Sequence, residues 1–179
     1  MPWLMLALWA ALVVGLQAAW IHRWTPLGGP VTWFYPDWTL VLLVAVGVRL
    51  PQRQVGVAAA VLGMVRLAYS GDAPTIILAG YGWVALAVQA LRSGIDVSGP
   101  LPRTLLAFVA AVGVSVWCQA VQAVRHPLLL PDGFGYPVWV DMARRAFPAA
   151  LITALIVGLL GVVLSRLPGL SPLYQRPRF

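Results

Sequence analysis

From Trp3 to Leu164 the chain is a succession of apolar runs, 13 to 19 residues long, separated by breaks rich in Pro, Gly and Arg. That alternation limits the possible folds more than any other feature. Inside a bilayer the backbone N–H and C=O groups have no water to bond, so such runs cross it as helices that satisfy themselves. Hydrophobic residues make up 61% of the chain and charged ones 9%, with a mean hydropathy of +0.86, far from the averages of a soluble domain. The expected fold class is all-α: a polytopic integral membrane protein of about six transmembrane helices, forming one domain over residues 1–164. Residues 165–179, basic and Pro-containing, are expected to form a tail on the cytoplasmic headgroups.

The net charge of +7 does not point to nucleic acid, because the arginines stand at the ends of apolar runs and form no basic recognition face. Charge so placed sets orientation in a bilayer. Cys118 is the only cysteine, which excludes an intrachain disulfide and a thiolate metal cluster. The first run ends at Ile21-His22-Arg23 without a small-x-small cleavage site and is read as a retained helix.

The expected spans are Trp3 to Ile21, Trp38 to Leu50, Gln54 to Ser70, Thr75 to Leu91, Arg103 to Val121 and Ala146 to Leu164. A short interfacial helix around Trp139 to Arg145 is expected to lead into the sixth, with Pro148 in its first turn. Two ladders of small residues at four-residue spacing stand out: Ala7, Ala11, Gly15 and Ala19 in the first span, and Ala146, Ala150, Ala154 and Gly158 in the last. Such rows let helix backbones approach closely, so they are candidate faces for packing within the chain or against a partner's helix. Six spans place both termini on one side. Arg49, Arg53, Arg92, Arg103, Arg166, Arg176 and Arg178 would share that side, against Arg23, Arg125, Arg144 and Arg145 on the other, which favours cytoplasmic termini.

Tyr35-Pro36-Asp37-Trp38 opens the second run. Pro36 blocks helix upstream, and Asp37 is a good N-cap for the hydrophobes that follow, making Pro36 and Asp37 a helix-start motif. The run it opens closes at Pro51, and its thirteen residues reach about 20 Å, short of the ~30 Å hydrocarbon core. Asp37 precedes Arg49 by twelve residues and Arg66 follows Arg53 by thirteen, which brings both to roughly 18 to 20 Å from the same interface on adjacent antiparallel helices. An intramembrane ion pair between Asp37 and Arg66 is the sharpest candidate interaction. The competing reading has Asp37 as a solvated cap, with Arg66 snorkelling outward or reaching Asp72.

No zinc-protease motif, nucleophile elbow or phosphate loop with its Lys occurs, and no catalytic, cofactor or metal residues are assigned. A transport reading would draw on polar and aromatic groups within the runs: Tyr81, Trp83, Gln89, Trp117 and Gln119.

In layout the chain resembles the bacterial rod shape-determining MreD family. The likeness rests on a first span ending near Gln17, on Pro36-Asp37 opening a run that closes with Arg49, on Gly56 to Gly63 leading into a turn, and on a terminal span from Arg145 to Leu167. Arg66 departs from it, standing where that family often carries an acid. The resemblance implies a non-enzymatic, multi-pass inner-membrane scaffold of the cell-elongation machinery that supports peptidoglycan synthesis. It also implies binding to an MreC-like single-span protein and, through it, to a class B penicillin-binding transpeptidase, a RodA-type glycosyltransferase and MreB filaments. The fold it implies is similar to the substrate-binding S components of energy-coupling-factor transporters, so a vitamin-type transport subunit is the alternative.

Overall fold

A computed structural model defines residues 2–24, 36–70, 73–94, 99–125 and 136–174. The aromatic cluster Trp33 to Tyr35, His126, the acids Asp72, Asp96 and Asp132, and Arg176 and Arg178 lie outside these residues. Within them the chain is all-helical: α1 Pro2–Trp24, α2 Trp38–Gly47, α3 Gln52–Ala68, α4 Pro74–Gly94, α5 Pro100–Arg125 and α6 Tyr136–Leu164, followed by a 3-10 helix, Ser171–Tyr174.

Four of the six helices, α1, α4, α5 and α6, are long and apolar enough to cross a membrane, the pattern of a polytopic membrane protein. The sequence reading of six spans is therefore corrected to four candidates. α2 has 10 residues and a length of about 15 Å; α3 has 17 residues, with Arg53 and Arg66 lowering its hydropathy.

α2 is the centre of the bundle. Its residues are hydrophobic on every side, as expected for a helix buried all round, and Thr39 to Gly47 are all buried. Each of the other five helices packs against it. At about 15 Å, α2 covers only part of the ~30 Å hydrocarbon core, and groups at both its ends take partners from the surrounding helices.

α5 and α6 form the most extensive pair, α3 pairs with α4, and α1 lies at the edge on α3, α2 and the 3-10 helix. α6 is one continuous helix. The interfacial segment expected at Trp139 to Arg145 is its first part, and Pro148 lies in its interior instead of a first turn. Residues 165–174 fold back on the bundle, with Leu170 and Leu173 in the core. Trp9 Nε1 donates to the Pro168 carbonyl at 3.2 Å, and Gly169, at φ +83°, lies against Met5. Only glycine adopts that backbone without strain.

The α6 ladder is consumed within the chain. Ala146, Ala150 and Ala154 are buried, on a helix that packs against α5 and α2, so they offer no face to a partner. At Gly158 a Cβ would collide with the Thr104 hydroxyl of α5. Gly158→Ala is expected to cost about 1–3 kcal/mol in unfolding free energy by overpacking this seam. Adding Thr104→Ala should restore most of the loss; thermal unfolding in detergent of the single and double variants checks this.

The α1 ladder behaves differently. The buried row is Leu6, Ala10 and Val14, one position earlier, whereas Ala7, Ala11 and Gly15 are half-buried and Ala19 is exposed. The Ala11 carbonyl accepts a hydrogen bond at 3.4 Å from the hydroxyl of Tyr69, the residue that caps the end of α3, so part of this row borders α3. The opposite side of α1 carries Leu4, Leu8, Leu12 and Leu16, all exposed.

Candidate functional site: the two ends of the buried helix

A helix leaves its first N–H and last C=O groups without intrahelical partners, and in low dielectric each unmet group is costly. At the N-terminal end of α2, Asp37 adopts extended backbone and accepts a hydrogen bond from Leu40 N at 3.1 Å. The same carboxylate accepts from the Thr39 hydroxyl at 2.6 Å, while the Tyr81 hydroxyl of α4 lies 3.1 and 3.2 Å from its two oxygens. The Thr39 and Tyr81 hydroxyls also meet, and with the Thr39 O–H directed at Asp37 the single Tyr81 proton is shared between the carboxylate and the Thr39 oxygen. Asp37 N donates to Thr153 Oγ1 of α6 at 3.1 Å, and Gln17 Nε2 of α1 donates to the Pro36 carbonyl at 3.1 Å.

Arg66 of α3 approaches this cluster, with a guanidinium nitrogen 3.9 Å from Asp37 Oδ1. The side chains of Arg66 and Asp37 are 37% and 22% exposed, so the pair is long and partly solvated, and it adds less than the direct hydrogen bonds. Asp37 is both cap and ion-pair partner. The helix-start motif therefore ties α1, α2, α3, α4 and α6 at one point. A cavity of about 290 Å3 opens there, bordered by Gln17, Asp37, Arg66, Ser115 and Thr153 among others.

At the other end Arg92 of α4 closes α2. One guanidinium nitrogen donates to the carbonyls of Gly47 at 3.1 Å and Leu50 at 2.5 Å. A carboxylate at the N-terminus and a guanidinium at the C-terminus also complement the helix dipole. Sequence reasoning read Arg92 only as a flanking charge, since nothing local reveals a contact made across 45 positions. It likewise missed Tyr81 and Thr153 as partners of Asp37; the one available signal was a hydroxyl within each apolar run, which calls for a partner.

Of the groups of the transport reading, Trp83 and Trp117 border one apolar cavity of about 440 Å3 between α4 and α5, and Tyr81, Gln89 and Gln119 lie apart from it. Tyr81 is buried on Asp37, whereas Trp83 is 66% exposed on the outside of α4. Gln89 donates to the Gln52 carbonyl, Trp117 to Ile76 and Gln119 to Met142, each a tie between neighbouring segments. Asp141 pairs with Arg145 one turn on at 2.5 Å, an exposed contact of small energetic weight. Among the described residues no three His, Cys, Asp or Glu side chains gather as metal ligands. Comparison with known proteins finds no matching family model, no matching curated protein and no matching solved structure.

Proposed function

We propose that this chain is a non-enzymatic scaffold subunit of a bacterial inner membrane, of the MreD type, with both termini cytoplasmic, which holds the single transmembrane helix of an MreC-like partner for cell-wall elongation. The observation that carries this reading is the use made of Asp37. At the Pro36-Asp37 position on which the family resemblance rests, the acid is engaged by an N–H and two hydroxyls and serves to fasten helices. A carboxylate so committed suits a rigid platform better than a site that must release a substrate. The partner face in this reading is the outer row of α1, Leu4, Leu8, Leu12 and Leu16, flanked by Ala7 and Ala11, on the helix that touches the bundle along one edge.

The test is affinity recovery of the tagged full chain from its native membranes. The expected result is co-recovery of a single-span MreC-like protein, reduced by Leu8→Trp with Leu12→Trp on α1 and unchanged by Leu159→Trp on α6. Recovery of the isolated chain with a retained vitamin-type molecule would favour the transport subunit instead. Reporter fusions at each terminus check the orientation.

A further inference from the structure

The apolar cavity between α4 and α5 is a slot on a part of the bundle separate from α1, which packs on α2, α3 and the 3-10 helix. Small and branched side chains make it. Gly80, Val84, Ala110 and Val114 are buried along its floor, while Trp83 of α4 and Val109 of α5, 66% and 61% exposed, stand out from the two helices. At one end a Cβ on Gly80 would lie 3.4 Å from the Trp117 ring, and the indole N–H of Trp117 donates to the Ile76 carbonyl at 3.0 Å, which holds that ring across the slot. At the other end Leu91 and Leu106 border it, close to where α4 ends and α5 begins.

The dimensions of the slot select its occupant. From Gly80 to Leu91, and from Trp117 back to Leu106, eleven helical steps span about 16 Å. That is about the depth of one leaflet, half of the ~30 Å hydrocarbon core, counted from near the shared end of two helices long and apolar enough to cross it. Over that length a volume of about 440 Å3 leaves a cross-section of about 27 Å2. An α-helix, about 10–12 Å across, needs roughly 80–110 Å2 and does not enter. A methylene chain, about 4–5 Å across at van der Waals contact, needs less than about 20 Å2 and fits.

We infer that this slot holds one acyl chain of a membrane phospholipid, entering between Leu91 and Leu106 and ending against Trp117. Surrounding lipid tails are as apolar as the slot, so the chain is retained by close packing along its walls, which a straight chain achieves and a branched one does not. The inference goes beyond the scaffold reading and does not depend on it, since the partner face of that reading lies on α1.

Native mass spectrometry tests it, with the full chain purified in digitonin, which has no linear alkyl tail to take the slot. The parent should carry one tightly held phospholipid. With dimyristoyl and diphytanoyl phosphatidylcholine offered in equal amounts, the first should be retained severalfold over the second, because the methyl branches of phytanoyl chains are too wide for the slot. Gly113→Phe and Ala87→Phe, at exposed positions that border the slot, should each lower retention of the dimyristoyl lipid severalfold. A Cβ at Gly113 meets nothing within 4 Å, and the same holds at Gly82, which lies on α4 and does not border the slot, so Gly82→Phe should leave retention unchanged. Thermal midpoints close to that of the parent show that the variants fold, and the comparison of the two lipids uses the parent alone. A parent with no retained phospholipid, equal retention of the two lipids, or a loss as large in Gly82→Phe as in Gly113→Phe overturns the inference. If Gly113→Phe leaves lipid retention intact and instead removes a co-purified protein, the face belongs to a partner's helix and the acyl-chain assignment is overturned.

Discussion

Asp37→Ala is expected to lower the unfolding free energy by about 3–4 kcal/mol, the largest effect of any single substitution considered. The sum is built from its contacts. Loss of an N-cap costs about 1 kcal/mol, and each hydrogen bond to a charged group contributes about 1.5–3 kcal/mol. The Thr39 and Tyr81 hydroxyls would still bond each other, which holds the total below the sum of all three terms. Asp37→Asn keeps a competent cap but loses the charge, and should fall about midway. Arg66→Gln should cost less than about 1 kcal/mol, since its approach is 3.9 Å and partly solvated. Thermal unfolding in detergent, followed by tryptophan fluorescence, ranks the three. If Arg66→Gln matches Asp37→Ala, the ion pair and not the hydroxyl network dominates. The exchange Asp37→Arg with Arg66→Asp should show no recovery over the worse single variant, because an arginine cannot accept the bonds from Leu40 N, Thr39 and Tyr81.

Arg92→Met should cost about 2–3 kcal/mol, measured the same way. It keeps most of the apolar stem but removes the donor from the carbonyls of Gly47 and Leu50. Those carbonyls lie at the end of a helix enclosed by all the others, where water replaces a lost donor poorly. Arg92→Lys should recover part of the loss, because one ammonium group supplies donors without the planar fork. Arg53→Gln is the control: exposed on the first turn of α3, it should stay within about 0.5 kcal/mol of the parent. A cost at Arg92 no greater than at Arg53 would mean that the end of α2 is open to water.

Both effects arise because α2 is enclosed by the other five helices and is closed at each end by a residue of the bundle. This arrangement also separates what could be read along the chain from what could not. The apolar runs, their breaks at Pro and Gly, and Asp37 as a cap are local properties, and the helices α2 to α5 begin and end within a few residues of the expected limits. The approach of Arg66 to Asp37 was legible as well, since a short turn and equal helical rise place two antiparallel positions at one level.

The remaining differences share one cause, which is that environment is not encoded by local pattern. An apolar run reads the same whether lipid or protein surrounds it, so α2 passed for a span until the enclosing helices were in place. A small-residue ladder likewise reads the same whether its partner is in the same chain or another. Ala146, Ala150 and Ala154 proved to be buried by α5 and α2, whereas the row of α1 is only half covered. The sequence by itself determined an all-helical chain suited to a membrane and the cap at Asp37. Only the tertiary structure decided that Tyr81, Thr153 and Arg92 close the two ends of α2, because buried polar groups take their partners from whichever element packing brings within about 3 Å, however distant in sequence.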